Sequence, residues 1–181
     1  MIRTAKAGAL AALVIGTMVA CSTAPTSQEG KDDLVRKAAA ALTAWNREFP
    51  GIEGFARGSY GYAMFPEIGK GGAGLGGAYG RGVVYAGGQQ IGYADLSQAS
   101  FGVQLGGQVY EELIVFATQA ALERFTRGRP DGSVGTSAVL IESGYAANVE
   151  LIDEATVFLK PNGGAMGEMV VAGQRVTFVP K

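Results

Sequence analysis

Apolar side chains recur at spacings of three and four between residues 31 and 49, which predicts an amphipathic helix. Acidic residues gather around its start and Pro50 follows its end, as expected at helix boundaries. Arg36 and Lys37 lie on the opposite, polar face. Two roles stay open for this helix: it covers a sheet, or it lies on a membrane surface with Trp45 and Phe49 towards lipid.

The segment from residue 51 to 107 combines short β patterns with 18 of the chain's 29 glycines. Glycine at alternate strand positions leaves one face of a sheet without side chains. That bare face either packs tightly against another element or admits a ligand. Gly87-Gly88 predicts a hairpin turn. Strands are predicted at 60–65, 79–85, 90–94 and 101–108.

Beyond residue 108, strand patterns continue around one more helix. The apolar run 113–116 predicts a buried strand, and Thr118 caps a predicted helix that ends at Arg127 with Gly128 as its C-cap. The whole pattern predicts a single α+β domain, in which a glycine-rich antiparallel sheet, open or barrel-like, packs with two or three helices. The last strands are predicted at 157–159, 168–171 and 176–178.

The first residues have the pattern of an export signal. Arg3 and Lys6 precede a short apolar run, which is less than the roughly 20 residues a spanning helix needs. The sequence MVAC at 18–21 resembles the lipobox of bacterial lipoproteins, in which the cysteine receives a diacylglycerol and becomes the N-terminal residue. The alternative is an ordinary cleaved signal followed by a chance cysteine.

These features divide the chain into three expected parts: a signal peptide at 1–20, lipidated Cys21 with a flexible tether at 21–30, and the folded domain at 31–181. Ser22, by resemblance to known sorting rules, favours the periplasmic face of the outer membrane in a Gram-negative host.

Charge and composition narrow the chemistry. Removing Arg3 and Lys6 leaves 13 basic against 16 acidic side chains, so the bulk charge argues against nucleic-acid binding. The chain has no histidine, which excludes histidine-based triads and metal sites. The GxGxxG pattern at 72–77 has no predicted helix after it, so no nucleotide cofactor is expected. We therefore predict no enzyme, no catalytic residue, no metal and no cofactor.

One route to hydrolysis without histidine remains, namely a pair of carboxylates. The adjacent pairs Glu111-Glu112 and Asp153-Glu154 point different ways on a strand, and the remaining candidates are isolated along the chain. A histidine-independent hydrolase is accordingly the third of three hypotheses. The isolated carboxylates considered are Glu67, Asp95 and Glu142.

The glycine-rich block resembles the SYLF domain family. The stretches that carry the resemblance are GYAMFP at 61–66, GKGG at 69–72, GGAYGRGVV at 76–84 and SFGVQLGGQ at 100–108, followed by Val115-Phe116 and by Leu122 with Phe125. The resemblance implies a membrane lipid-binding module; eukaryotic members are associated with phosphoinositides and actin assembly. The chain departs from the family pattern at 142–145 and 161–163. An exported protein would not meet actin in its own cell.

A lipid headgroup site needs cations and accessible backbone amides near a surface. Lys70 is predicted to lie in a glycine loop and Arg81 in the next glycine cluster, Arg57 precedes the first predicted strand, and Arg36 and Lys37 lie on the first helix. These five cations are the candidate lipid-binding residues, with ordinary solvated cations as the alternative reading. The leading hypothesis is a membrane-anchored lipoprotein that binds phospholipid headgroups or acyl chains. The second is a non-enzymatic envelope scaffold that binds a protein partner.

Overall fold

Three helices and seven strands make up the part of the chain that the computed structural model describes, which is residues 25, 27–73, 75–101, 106–127, 137–140, 154–162 and 174–181. The helices are α1 (Gln28–Glu48), α2 (Ile52–Gly58) and α3 (Gln119–Arg127). The strands are β1 (Gly61–Ala73), β2 (Leu75–Ala86), β3 (Gln89–Phe101), β4 (Gly106–Phe116), β5 (Ser137–Leu140), β6 (Ala155–Pro161) and β7 (Gln174–Pro180).

All seven strands belong to one sheet, in the order β5-β6-β4-β1-β2-β3-β7. Six of them pair antiparallel, and β5 pairs parallel with β6 at one edge. The sheet is not closed into a barrel, because the edge strands β5 and β7 do not pair with each other. The predicted α+β domain is therefore confirmed in its open form. No helix in the described ranges is long and apolar enough to cross a bilayer.

The sheet is strongly curled. The side chain of Gln174 on β7 hydrogen-bonds to that of Glu112 on β4, although three strands separate β4 from β7. In a flat sheet those two strands would lie about 19 Å apart, at about 4.8 Å for each step. The face on which this bond forms is called the concave face here, and the face covered by α1 is called the α1 face.

The α1 face carries one of two hydrophobic clusters. Leu34, Ala38 and Leu42 of α1 pack onto the sheet, together with α2. Trp45 is fully buried and Phe49 nearly so, and the indole nitrogen of Trp45 donates a hydrogen bond to the carboxylate of Glu111. The alternative prediction, a membrane-surface helix with Trp45 and Phe49 towards lipid, is therefore wrong, because these two rings pack against the sheet.

The concave face carries the second cluster, into which α3 packs. Ala121, Leu122 and Phe125 are buried there, as the sequence predicts. The Phe125 ring meets that of Phe116 with their centroids 4.9 Å apart. The backbone amide of Ala121 donates to the Thr118 hydroxyl at 3.2 Å, which confirms the predicted N-cap.

Several boundaries differ from the predictions. Helix α1 begins at Gln28, three residues early, because the Ser27 hydroxyl accepts from the backbone amide of Gly30 and caps it. The short helix α2 was not predicted. The segment predicted as one strand over 101–108 is divided, since β3 ends at Phe101 and β4 begins at Gly106. Gly128, the strand at 168–171 and the departures at 142–145 lie outside the described residues.

The β1 strand contains an irregularity that decides which side chains share a face. Its pairing with β2 shifts between Met64 and Glu67, around Pro66. A bulge of this kind suits proline, which has no amide hydrogen to donate. Met64 belongs to the α1-face cluster and Ile68 to the concave-face cluster, so even-numbered residues change face across the bulge. Lys70 lies two residues after Ile68 in the same strand and therefore shares the concave face with it.

Candidate functional site

A groove of about 450 Å³ lies between the first turns of α1 and the strands β1 and β2. We call it the α1 groove. Asp33, Leu34 and Lys37 line it from the helix, and Pro25, just before the helix, lines it as well. Gly30 of α1 also lines it, and the described lining residues from the sheet are Pro66, Glu67, Gly69, Tyr79, Gly80 and Arg81.

The glycines around the groove serve two different purposes. A Cβ atom on Gly69 would have nothing within 4 Å, so this glycine leaves open space. A Cβ on Gly80 would lie 2.5 Å from a side-chain carbon of Ile68, and one on Gly82 would lie 2.7 Å from the Phe65 ring. Gly80 and Gly82 are therefore required for close packing, whereas Gly69 leaves a groove position accessible.

Of the cationic side chains that the structure describes, Lys37 and Arg81 line the groove. The ammonium nitrogen of Lys37 lies 2.8 Å from a carboxylate oxygen of Asp33. This hydrogen bond lowers the pKa of Asp33 and raises the pKa of Lys37, to which the negative charge of Glu67 also contributes. The side chains of Lys37 and Asp33 are 61% and 43% exposed, so solvent screening keeps the contribution of the pair to stability small.

Arg81 is held by an aromatic neighbour. Its Nε donates to the hydroxyl of Tyr79 at 2.9 Å, and its guanidinium lies 5.9 Å from the centroid of the same ring. In the strand register, Arg81 is opposite Glu67 on β1 and opposite Asp95 on β3. The described lining of the groove thus contains two cations, Lys37 and Arg81, and two carboxylates, Asp33 and Glu67. A third carboxylate, Asp95, lies beside it.

The five predicted cations do not form one cluster. Lys37 and Arg81 share the groove, and Arg36 pairs with Asp33 from the neighbouring helix position without lining it. Arg57 lies on α2 and pairs with Glu53 at 2.9 Å. Lys70 is in strand β1 rather than in a glycine loop, is only 9% exposed, and lies on the concave face. Cys21 lies outside the described residues.

The sequence alone does not predict that polar side chains meet on the concave face. Glu112 is completely buried, and one of its oxygens accepts a hydrogen bond from the Gln174 amide at 3.0 Å. Its other oxygen has no partner within the described part of the chain. Burial raises the pKa of Glu112 to about 8, and the bond from Gln174 opposes that rise. Burial also raises the pKa of Tyr110, and so does the charge of Glu112.

A signal for this cluster exists in the strand pattern. Glu112 shares its parity with Ile114 and Phe116, both of which face inwards, whereas Glu111 points to the opposite face and meets Trp45. The two carboxylates of this pair therefore diverge, as predicted. Of the other pair, Glu154 forms an ion pair with Arg124, and Asp153 lies outside the described residues.

Within the described ranges, no three carboxylate or cysteine side chains come together in a group that could hold a metal ion. Searches of the sequence against models of known protein families and against curated proteins gave no match.

Proposed function

We propose that this chain is a membrane-anchored lipoprotein whose SYLF-like domain binds phospholipid headgroups in the α1 groove. The observation that carries the proposal is the meeting of Lys37 from α1 with Arg81 from β2 in one groove open to solvent. Guanidinium groups bind phosphate through parallel hydrogen bonds, and an ammonium adds a compact charge. Neither cation is buried, so both can reach a headgroup at a bilayer surface.

The position of Pro25 supports the same proposal. Pro25 lines the groove and follows Cys21 by only four residues. A fully extended stretch of four residues spans at most about 14 Å. Acyl chains on Cys21 would therefore hold the groove next to the membrane surface. Even weak headgroup affinity then has an effect, because the second contact becomes intramolecular.

Co-sedimentation with phospholipid vesicles at low salt tests this function. The mature protein, beginning at residue 21, carries Cys21→Ser so that no acyl chain contributes to binding. We expect the protein to pellet with vesicles, and Arg81→Gln to reduce the bound fraction. Arg57→Gln is the matched control, because Arg57 is an exposed arginine outside the groove.

The absence of binding to both anionic and zwitterionic vesicles would contradict the proposal. If a single protein partner were also retained in stoichiometric amount, the envelope-scaffold hypothesis would take its place.

A further inference from the structure

Resting on the proposed function, we infer that the α1 groove selects a zwitterionic headgroup with a primary amine, as in phosphatidylethanolamine. In this arrangement Arg81 and Lys37 bind the phosphate, and Glu67 accepts hydrogen bonds from the ammonium. The charges and the hydrogen-bonding groups that line the groove favour this lipid class.

Among the described residues that line the groove, the formal charges cancel. Lys37 and Arg81 contribute two positive charges, and Asp33 and Glu67 contribute two negative ones. A headgroup with a net negative charge, such as phosphatidylglycerol, would bring its phosphate to the cations and offer no ammonium to Glu67. A zwitterion satisfies both signs, so the groove favours it by electrostatic complementarity.

Glu67 is the group that is available for an amine. Its side chain is exposed, and no hydrogen bond or ion pair engages it among the residues the structure describes. Asp33, by contrast, is already engaged by Lys37 and Arg36. An ammonium placed at Glu67 would donate to a carboxylate that accepts no hydrogen bond from the described residues, and this bond would be charge-assisted.

Arg81 retains the donors that a phosphate needs. Toward the described part of the chain it uses only its Nε hydrogen, in the bond to the Tyr79 hydroxyl, and a guanidinium has five N–H donors. Arg81 and Glu67 lie directly opposite each other on neighbouring strands, where Cα atoms are about 4.5–5.5 Å apart. One headgroup can therefore contact both side chains, since the phosphate and the amine of ethanolamine are joined by only two carbons.

The aromatic content of the groove separates ethanolamine from choline. A quaternary ammonium has no N–H donor and is bound over aromatic faces. Tyr79 is the one aromatic side chain among the described residues of the groove, and the guanidinium of Arg81 already lies over its ring. A primary ammonium instead donates up to three hydrogen bonds, which suits the carboxylates present.

Binding to three sets of vesicles tests the selectivity, with the Cys21→Ser mature protein as the sample. The vesicles are phosphatidylcholine alone, and phosphatidylcholine mixed with an equal mole fraction of either phosphatidylethanolamine or phosphatidylglycerol. We expect the partition coefficient to be about fivefold higher with phosphatidylethanolamine than with either alternative, as for one exposed ion pair. Glu67→Gln removes this preference, whereas Glu53→Gln, which changes a carboxylate outside the groove, retains it.

Competition by soluble glycerophosphoethanolamine separates headgroup recognition from an effect of this lipid on bilayer packing. Displacement of the protein from the vesicles by this compound, but not by glycerophosphocholine, supports the inference. Equal binding to all three vesicles, an unchanged preference in Glu67→Gln, or no displacement would overturn the selectivity and leave headgroup binding in place. No binding to any vesicle would overturn both.

Discussion

The two faces of the sheet place the same kinds of charged side chain in opposite environments. On the α1 face, the exposed side chains of Asp33 and Lys37 form an ion pair, which lowers the pKa of Asp33 and raises the pKa of Lys37. On the concave face, Glu112 is buried beside an amide, and its pKa rises to about 8. Solvent access therefore decides whether a carboxylate here is a charge available to a ligand or a neutral element of the core.

The bulge around Pro66 separates these environments. Without it, Lys70 would share a face with Met64 and lie on the side of the sheet that α1 covers. With it, Lys70 joins the concave face, in a cross-strand row with Ala78, Gln98 and Gln174. The cations that line the groove in the described part of the chain consequently come from α1 and β2.

The largest expected effect is a loss of stability as the pH rises, caused by Glu112. Its pKa in the folded protein, about 8, lies above its ordinary value of 4.5. Between these values the folded state holds more protons than the unfolded state, so the free energy of unfolding falls as pH rises. The slope is at most about 1.4 kcal/mol per pH unit.

Chemical denaturation from about pH 5 to about pH 8 measures this slope. Glu112→Gln replaces the titrating group with a neutral one and should flatten the dependence. Glu111→Gln, at the adjacent position on the other face, should leave it in place. An equal slope in wild type and Glu112→Gln would show that Glu112 does not titrate in this range.

The next largest expected effect is the loss of stability when a methyl group is added to a closely packed glycine rather than to an open one. Gly82→Ala places a methyl group 2.7 Å from the Phe65 ring and 2.9 Å from the Met64 carbonyl oxygen. We expect it to lower the free energy of unfolding by about 1–3 kcal/mol. Gly69→Ala, which meets nothing within 4 Å, should change it by less than about 0.5 kcal/mol. Thermal unfolding of both variants checks the difference, and equal destabilisation would refute the division between packing and open glycines.

The smallest effect on stability is expected in the groove itself. Lys37→Gln breaks an exposed helix pair, whose contribution to stability is small because solvent screens it. The midpoint of urea unfolding should therefore hardly move, while vesicle binding falls. A large drop in the midpoint would mean that Lys37 has a structural role, and the loss of binding would then carry no information about the groove.

The sequence predicts the elements whose signals are local. Helices α1 and α3 have clear apolar periodicity, and the hairpin turn at Gly87-Gly88 has the positive φ angles its residues suggest. Helix α2 escaped because seven residues are too few to establish a period. The sequence predicts a loop at Lys70, where the structure has a strand, because glycine is unusual inside strands.

The candidate site was only partly predictable for a related reason. Lys37 and Arg81 were recognised as cations, but their meeting depends on how α1 lies across the sheet. The bulge that moves Lys70 to the other face reverses the alternation on which its expected placement depends. The contact between Gln174 and Glu112 requires the curl of the whole sheet, which no local pattern contains.

Backbone amide NMR during titration with a short-chain, water-soluble phosphatidylethanolamine tests headgroup binding in the α1 groove most directly. We expect saturable chemical-shift changes at Gly69, Gly80 and Arg81, which line the groove, and none at Glu112 or Gln174 on the concave face. Changes confined to the concave face, or no saturable change at any groove residue, would contradict it.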